Sequence, residues 1–380
     1  MRDTPWHHFD FWLFGAVVLL TIFGVTMIRS AIAGNIELIE TNTVQKQIIF
    51  AVAGFVVTFI TAAIDYRLWA SLSRLLYWGM AFILIVLNTV GGQLFGSNRW
   101  FHLGPILIQP SELSKIVIIL VLADFLTRHQ EKIHDLKWVA RSFLLTMGIV
   151  IWILLQPDLS TSIVIFVIWF ALVWASGLQV KHLLYAVGAG IISAAISLPL
   201  LILSYDPTNE NGIIKPYQIE RILIFLFPDP GARHGAIYNV HQALISIGSG
   251  GWFGKGYESG TQVQLRFLKV RHSDFIFSAL SEEFGFVGTM FVMGLLIFVI
   301  MRCLRAARLA SDTFGALIAY GVATFLAFQA IVNVGMNLNL LPVTGLVLPF
   351  VSYGGSSLLS MLLGIGLVES VLLRHKALEF

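Results

Sequence analysis

Charge is what this 380-residue chain has least of. Lys, Arg, Asp and Glu make up 12% of it, against a hydrophobic share of 57%, whereas an ordinary soluble domain carries about 25% charged residues. A solvated globular domain is excluded on that ground. The net charge of +3 is too small to argue for a nucleic-acid partner. The single cysteine, Cys303, excludes an intramolecular disulfide and any cysteine-cluster metal site. The ten histidines are scattered, with His7 and His8 the one close pair. No cleavable signal peptide is expected, because the first apolar run is too long and lacks a small-residue cleavage site. The glycine-rich stretch Ile247 to Gly256 contains GxGxxG-like spacing but has no βαβ surroundings, so it is not a dinucleotide site. Nor is it a Walker A loop, since Ser249 stands where the first glycine belongs.

What the chain has in abundance is long apolar runs. A helical span needs about 20 apolar residues. That criterion predicts about ten spans, near 11–31, 46–64, 72–91, 110–127, 139–156, 158–176, 182–204, 274–301, 314–340 and 346–372. The fold class is therefore all-α, a single polytopic membrane domain over residues 1–380. Residues 205–273 form one long loop. Within it, the apolar segment Ile219 to Phe227, framed by Pro216 and Pro228, is too short to span and suits the membrane interface.

Short-loop Lys and Arg set orientation. Arg2, Arg67, Arg74, Arg128, Lys132, Lys137, Arg141, Lys181, Arg302, Arg305, Arg308, Arg374 and Lys376 fall on one side, and the alternate short loops carry little beyond Lys46 and Arg99. Both termini are therefore expected in the cytoplasm, with the 205–273 loop outside it.

Polar groups at predicted membrane depth mark functional positions by default. In Gln109-Pro110-Ser111-Glu112-Leu113-Ser114-Lys115, Glu112 and Lys115 share a helix face. They read either as a structural ion pair or as a site. Gln156-Pro157-Asp158 repeats the Gln-Pro helix start, and Asp158 by itself reads as an N-cap. In the run Arg271 to Glu283, Asp274, Ser278, Ser281, Glu282 and Gly285 fall on one helical face, which places Glu282 about 12 Å below Asp274 along the axis. Asp274 reads as an N-cap or as a functional carboxylate, and Arg271 and His272 beside it favour function. From Asn333 to Ser357, Pro342, Pro349, Gly345, Gly354 and Gly355 break the helix, and broken backbone at that depth must be buried or line a cavity. Ser352 is a cavity-lining candidate there. The glycine-rich stretch is either a flexible loop or a phosphate nest closed by Lys255. Helix N-termini and basic loop residues on one side describe an outward cavity for an anionic amphipathic substrate.

The motifs QPSELSK (109–115), QPDLSTS (156–162), IGSGGWFGKG (247–256), RHSDFIFSALSEEFG (271–285) and the stretch 333–357 closely resemble, in order and over nearly the whole chain, the SEDS family of shape, elongation, division and sporulation proteins. GSNRWFHLG (96–104) and NVGMN (333–337) resemble the elongation member more than the division member. The resemblance implies a peptidoglycan glycosyltransferase that polymerises lipid II outside the cytoplasmic membrane. It also implies a class B penicillin-binding protein as partner, other elongation-machinery membrane proteins around it, and undecaprenyl pyrophosphate as leaving group. The family's essential aspartate falls on Asp274, its QPSExxK pair on Glu112 and Lys115, its QPD aspartate on Asp158, and a loop arginine on Arg221. The chain departs from the family at Leu268-Lys269-Val270, where relatives have LPE, and at Ser273 and Ser160.

On that reading Asp274 is the general base of an inverting transfer. Arg221, Lys255 and Arg271 are candidates for the pyrophosphate, and Glu112, Lys115, Asp158, Glu282 and Ser352 complete the substrate-binding set. A divalent cation, Mg²⁺ or Mn²⁺, could bridge carboxylate and pyrophosphate, although the sequence holds no dedicated cage. Two rivals are a flippase for the same lipid and a non-catalytic scaffold. Against the flippase, no inverted repeat is visible and the charges gather on the outer side.

Overall fold

The computed structural model describes residues 5–33, 36–90, 99–103, 106–132, 135–178, 225, 236–268 and 270–375. The predicted span 182–204, the segment 219–227 save Phe225, and Arg221 lie outside them.

Besides short 3-10 turns at Pro5–His8 and Gln130–Lys132, twelve α-helices are described. They are α1 (Phe11–Ile32), α2 (Ile36–Glu40), α3 (Thr43–Ala63), α4 (Tyr66–Val90), α5 (Pro110–Arg128), α6 (Leu136–Leu155), α7 (Leu159–Ala175), α8 (Ala236–Ser249), α9 (Thr261–Gln264), α10 (Ile276–Leu309), α11 (Thr313–Asn337) and α12 (Gly355–Leu373). A two-stranded antiparallel hairpin, β1 (Phe101–Leu103) and β2 (Ile106–Ile108), leads into α5 with Phe101 opposite Ile108. Of these helices α1, α3, α4, α6, α10, α11 and α12 are long and apolar enough to cross a bilayer. The protein is thus a helical, multi-pass membrane protein. The 17-residue α7 is apolar but short, and α5 carries Glu112, Lys115, Asp124 and Arg128.

Local chemistry sets the helix starts. Asp10, Asp135, Asp158 and Asp312 accept hydrogen bonds from first-turn N–H groups of α1, α6, α7 and α11, each satisfying a donor the helix cannot pair. Pro110 begins α5, where its missing N–H does no harm. The last predicted span, 346–372, is shorter than expected: α12 begins only at Gly355. Pro342, Pro349 and left-handed residues at Asn339, Gly345 and Phe350 keep 338–354 irregular. That irregular backbone is enclosed, with Leu348 and Val351 fully buried, as membrane depth demands.

The arginines cluster at the end of the bundle where α4 and α11 begin and α10 and α12 finish. Arg302 pairs with Asp10, whose N–H donates to Glu369 (3.0 Å). Arg67 and the Tyr66 hydroxyl both donate to Asp312, at 3.0 and 2.8 Å. Burial opposes ionisation of Asp312, but hydrogen bonds from the Gly315 N–H, Tyr66 and Arg67 outweigh it and hold the carboxyl below its ordinary value.

α10 is broken at Gly285, which has φ 68°. The glycine-rich segment after α8 packs into the break. Lys255 N donates to Glu282 O (2.9 Å) and Gly256 N to Glu283 O (3.0 Å), while Phe286 N and Val287 N donate to Gly251 O (2.8 Å) and Trp252 O (3.0 Å). These bonds replace those the helix loses at the break, so the backbone stays satisfied without water. Cβ atoms at Gly254 or Gly285 would collide with the opposing backbone. The segment is therefore a docked strap, and both sequence alternatives for it, flexible loop and phosphate nest, give way to helix repair.

Candidate functional site

At the opposite end from the arginine cluster, the starts of α5, α7 and α12 converge with the turn before α10 around a cavity of about 740 Å³. Its walls include Lys46, Arg99, Glu112, Asp158, His272 and Asp274. The helix starts are stitched together. Gln109 Nε2 donates to Asp158 Oδ2 (3.0 Å), and the Ser111 hydroxyl reaches the same oxygen at 3.3 Å. Gln109 N donates to Ser356 Oγ (2.9 Å), and Ser360 Oγ to Glu112 O (2.8 Å). Arg99 donates to the carbonyls of Gln156 (2.6 Å) and Pro157. Asp158 is an N-cap as expected, accepting from Thr161 N at 3.2 Å, and a cavity wall as well.

Asp274 is not an N-cap. The cap position of α10 is Phe275, and Asp274 sits in the preceding turn. Its carboxylate lines the cavity and accepts from the Ser273 hydroxyl (3.0 Å). Its backbone carbonyl is held by two amides, Asn333 Nδ2 and Asn337 Nδ2, each at 3.1 Å. Asn333 also donates to Leu346 O (2.7 Å), and Asn337 Oδ1 accepts from Ser278 Oγ (2.6 Å). The Ser352 hydroxyl donates to Ser273 O (2.8 Å), and His272 O accepts from Tyr353 N (2.9 Å). The Asp274 turn is thus fastened to α11 and to the 338–354 segment. His272 is largely buried; burial first, then the charge of Arg271, lowers its pKa to about 4, so the ring is neutral at neutral pH.

Glu112 and Lys115 form an ion pair at 2.8 Å, with Lys115 fully buried and its ammonium 5.2 Å from the Phe325 ring centre. Glu112 reaches the cavity and Lys115 does not. Besides Lys115, four expected site residues lie off the cavity wall: Lys255, Glu282, Arg271 and Ser352. Lys255 pairs with Glu282 at 2.7 Å. Glu282, fully buried, also accepts from Thr261 Oγ1 (3.0 Å), Gln262 N (3.0 Å) and Val263 N (3.3 Å). The break at Gly285 and the late helix start replace the continuous stripe from Asp274, so Glu282 faces the strap and not the cavity. Arg271 is buried and donates to Ala31 O (2.5 Å) and Leu268 O (3.3 Å), which anchors the turn onto α1. Ser352 braces the turn from behind. Arg221 lies outside the described residues.

Sequence reasoning missed Lys46, Arg99, His272, Gln329, Asn333 and Asn337 as site residues. A signal existed for Lys46 and Arg99, the rare cations in the loops where the positive-inside pattern expects few. Another existed in Asn333 and Asn337, spaced four apart on an otherwise apolar helix. Among the described residues, no group of three or more His, Cys, Asp or Glu could hold a metal ion.

Comparison with known proteins supplies the family. Residues 11–377 match the family model for the FtsW, RodA and SpoVE cell cycle proteins. The chain is 34% identical over 380 residues to the peptidoglycan glycosyltransferase MrdB of Escherichia coli K12, covering 100% of this chain and 98% of that one. It is 32% identical to the probable peptidoglycan glycosyltransferase FtsW of Trichlorobacter lovleyi, covering 96% and 93%. Among solved structures it resembles a chain from a study of how a peptidoglycan synthase complex coordinates polymerization and crosslinking, with TM-score 0.75, 31% identity and coverage of 96% and 97%. It also resembles the crystal structure of the rod shape determining protein RodA of Thermus thermophilus, with TM-score 0.68, 30% identity and coverage of 97% and 98%. With a match running almost end to end, the chain belongs to the FtsW/RodA/SpoVE family of cell cycle proteins, the SEDS family.

Proposed function

We propose that this protein is a peptidoglycan glycosyltransferase that polymerises lipid II on the outer face of the cytoplasmic membrane, with both termini in the cytoplasm. The observation that carries the reading is Asp274, a carboxylate on the cavity wall whose backbone carbonyl two buried asparagines hold in place. Family membership supports the activity. The arginine cluster at the far end of the bundle supports the orientation, since short loops rich in Arg and Lys stay in the cytoplasm.

In the reaction the acceptor sugar hydroxyl gives its proton to Asp274 as its oxygen attacks the anomeric carbon of the donor. The new C–O bond forms as the bond to the lipid pyrophosphate breaks. The pyrophosphate leaves with the electron pair, and the anomeric centre inverts. A carboxylate positioned against the attacking hydroxyl is the general-base arrangement. Lys46 and Arg99 are the cations on the cavity wall. With the starts of α5, α7 and α12 they supply positive potential for a pyrophosphate. Arg221 remains a further candidate for that role. A divalent cation would take its oxygen ligands from Asp274 and the pyrophosphate, because the described protein residues offer no larger cluster.

The elongation role follows the GSNRWFHLG and NVGMN stretches, and a class B penicillin-binding protein is the proposed partner. The test is reconstitution with that partner and lipid II. Wild-type protein forms glycan polymer and Asp274→Ala forms none. Polymer made by Asp274→Ala at the native rate would sink the assignment. Lipid moved across liposomes without polymer would favour the flippase.

A further inference from the structure

Along one face of α11, Gln329, Asn333 and Asn337 follow each other at four-residue spacing. All three are fully buried amides. Asn333 and Asn337 spend their N–H groups on Asp274 O, Leu346 O and Asn333 O. Gln329 differs: neither Oε1 nor Nε2 has a hydrogen-bond partner among the described residues, and the residue lines the cavity. Two further cavity-lining groups share this property, Glu112 Oε2 and Ser357 Oγ.

Glu112 and Gln329 lie at one level, with Ser357 a turn nearer the mouth. Lys115 sits over Phe325, one turn below Gln329, so Glu112, a turn nearer the start of α5, is level with Gln329. Ser360 donates to Glu112 O, which puts Ser357 one turn of α12 towards the mouth. By helical rise Gln329 is about 6 Å deeper than Asn333, which bonds Asp274 O, and so lies one turn below the Asp274 turn. The cavity therefore has two zones. Its wall carries the cations Lys46 and Arg99 with Asp274; its floor carries unpartnered donors and acceptors without an available cation, because Lys115 is bound to Glu112.

A buried carboxamide with both ends unbonded is rare in folded proteins and needs a reason. A phosphate does not fit this floor, since the Glu112 carboxylate faces it. The chemistry that fits is a neutral group presenting an N–H, a C=O and a small apolar end. Gln329 Nε2 and the Ser357 hydroxyl can donate to the C=O, and Glu112 Oε2 and Gln329 Oε1 can accept the N–H. Ile163, Leu346 and Val347 also line the cavity and can take a methyl group. We propose that Gln329, with Glu112 and Ser357, forms an amide subsite at the cavity floor that binds the N-acetyl group of a substrate sugar and makes the enzyme selective for N-acetylated sugars. The inference rests on the glycosyltransferase reading of this cavity.

The test compares lipid II with a synthetic analogue carrying hydroxyl in place of the 2-acetamido group, in full-length wild-type protein, Gln329→Leu and Gln329→Met with the partner present. Wild type prefers the acetamido substrate in kcat/KM. Both variants lose that preference by roughly tenfold to a hundredfold, the factor for one or two lost hydrogen bonds. Their thermal unfolding midpoints stay at or above wild type, since an unbonded buried amide has been replaced by an apolar side chain of similar size. Unchanged discrimination in both variants, or a clear fall in their unfolding midpoints, overturns the subsite. Wild type that makes no polymer from either substrate overturns the underlying reading instead.

Discussion

The side-chain amide of Asn337 donates to the backbone carbonyl of Asp274 at 3.1 Å, and Asn333, one turn away, does the same. Neither amide touches the carboxylate, so together they set where the Asp274 turn sits and not its charge. A misplacement of about 1 Å at a reacting group can cost about 10²-fold in rate. Asn337→Ala is expected to lower kcat for lipid II polymerisation by roughly tenfold to a hundredfold, with KM nearly unchanged. Single-turnover polymerisation at saturating lipid II checks this. A variant with native kcat and raised KM would show that the asparagines serve substrate binding instead.

The Glu112–Lys115 pair answers one question left open by the sequence and sharpens another. Lys115 is fully buried and bound to Glu112, so the structural role is real, yet Glu112 also lines the cavity and its second oxygen, buried there, has no hydrogen-bond partner among the described residues. Removing one partner of a buried pair typically costs about 3–5 kcal/mol, while removing both with apolar or neutral isosteres is nearly neutral. Lys115→Met should therefore lower the unfolding midpoint sharply, and Glu112→Gln/Lys115→Met should recover most of it. Activity should not recover in the double variant. A double variant regaining both stability and polymerisation would reduce the pair to a structural one.

Much of this fold was legible because lipid imposes severe rules. Apolar runs of span length carry the helices. The Gln-Pro starts at Gln109 and Gln156 were readable as helix N-termini, and Asp158 as a cap. The docking of the strap was not. Gly285 looked like one more small residue on a helical face, because a break in a helix depends on the segment that fills it, here about 30 residues earlier at Gly251 to Gly256. The same break turned Glu282 from an expected substrate contact into an anchor. Lys255 and Arg271 looked available for phosphate because sequence shows charge without showing partners. Gln329 shares the four-residue spacing of Asn333 and Asn337, but that its amide lacks partners shows only once hydrogen bonds are counted.

The strap makes a prediction of its own. Glu282 is fully buried and collects Lys255, Thr261 and two backbone N–H groups. Lys255→Ala leaves Glu282 a buried carboxylate without its cation and is expected to destabilise by about 3–5 kcal/mol. Lys255→Ala/Glu282→Gln removes the charge as well, keeps an acceptor for the buried Thr261, Gln262 and Val263 donors, and should recover most of that loss. Thermal unfolding in detergent gives the ranking, and hydrogen exchange at residues 250–264 localises it. A double variant no more stable than Lys255→Ala would mean that the charge of Glu282 is itself needed to hold the strap.

His272 gives the pH dependence. Its ordinary pKa of 6.5 falls to about 4 in the folded protein, through burial first and the neighbouring Arg271 second. Between those values the unfolded chain binds the proton and the folded one does not, so stability rises with pH across that window and is level above it. At about 1.4 kcal/mol per unit, the contribution lost on acidification is on the order of 3 kcal/mol. Its loss should begin as pH drops below 6.5 and be complete near 4. The ring stands next to the Asp274 turn and 5.6 Å from Tyr353, centre to centre, so a charged imidazolium would loosen that wall of the cavity first. The wild-type unfolding midpoint should fall between pH 6.5 and 4 more steeply than that of His272→Gln, which removes the titrating ring and keeps a polar side chain. Superimposable pH profiles for the two proteins would show that other groups govern the acid limb.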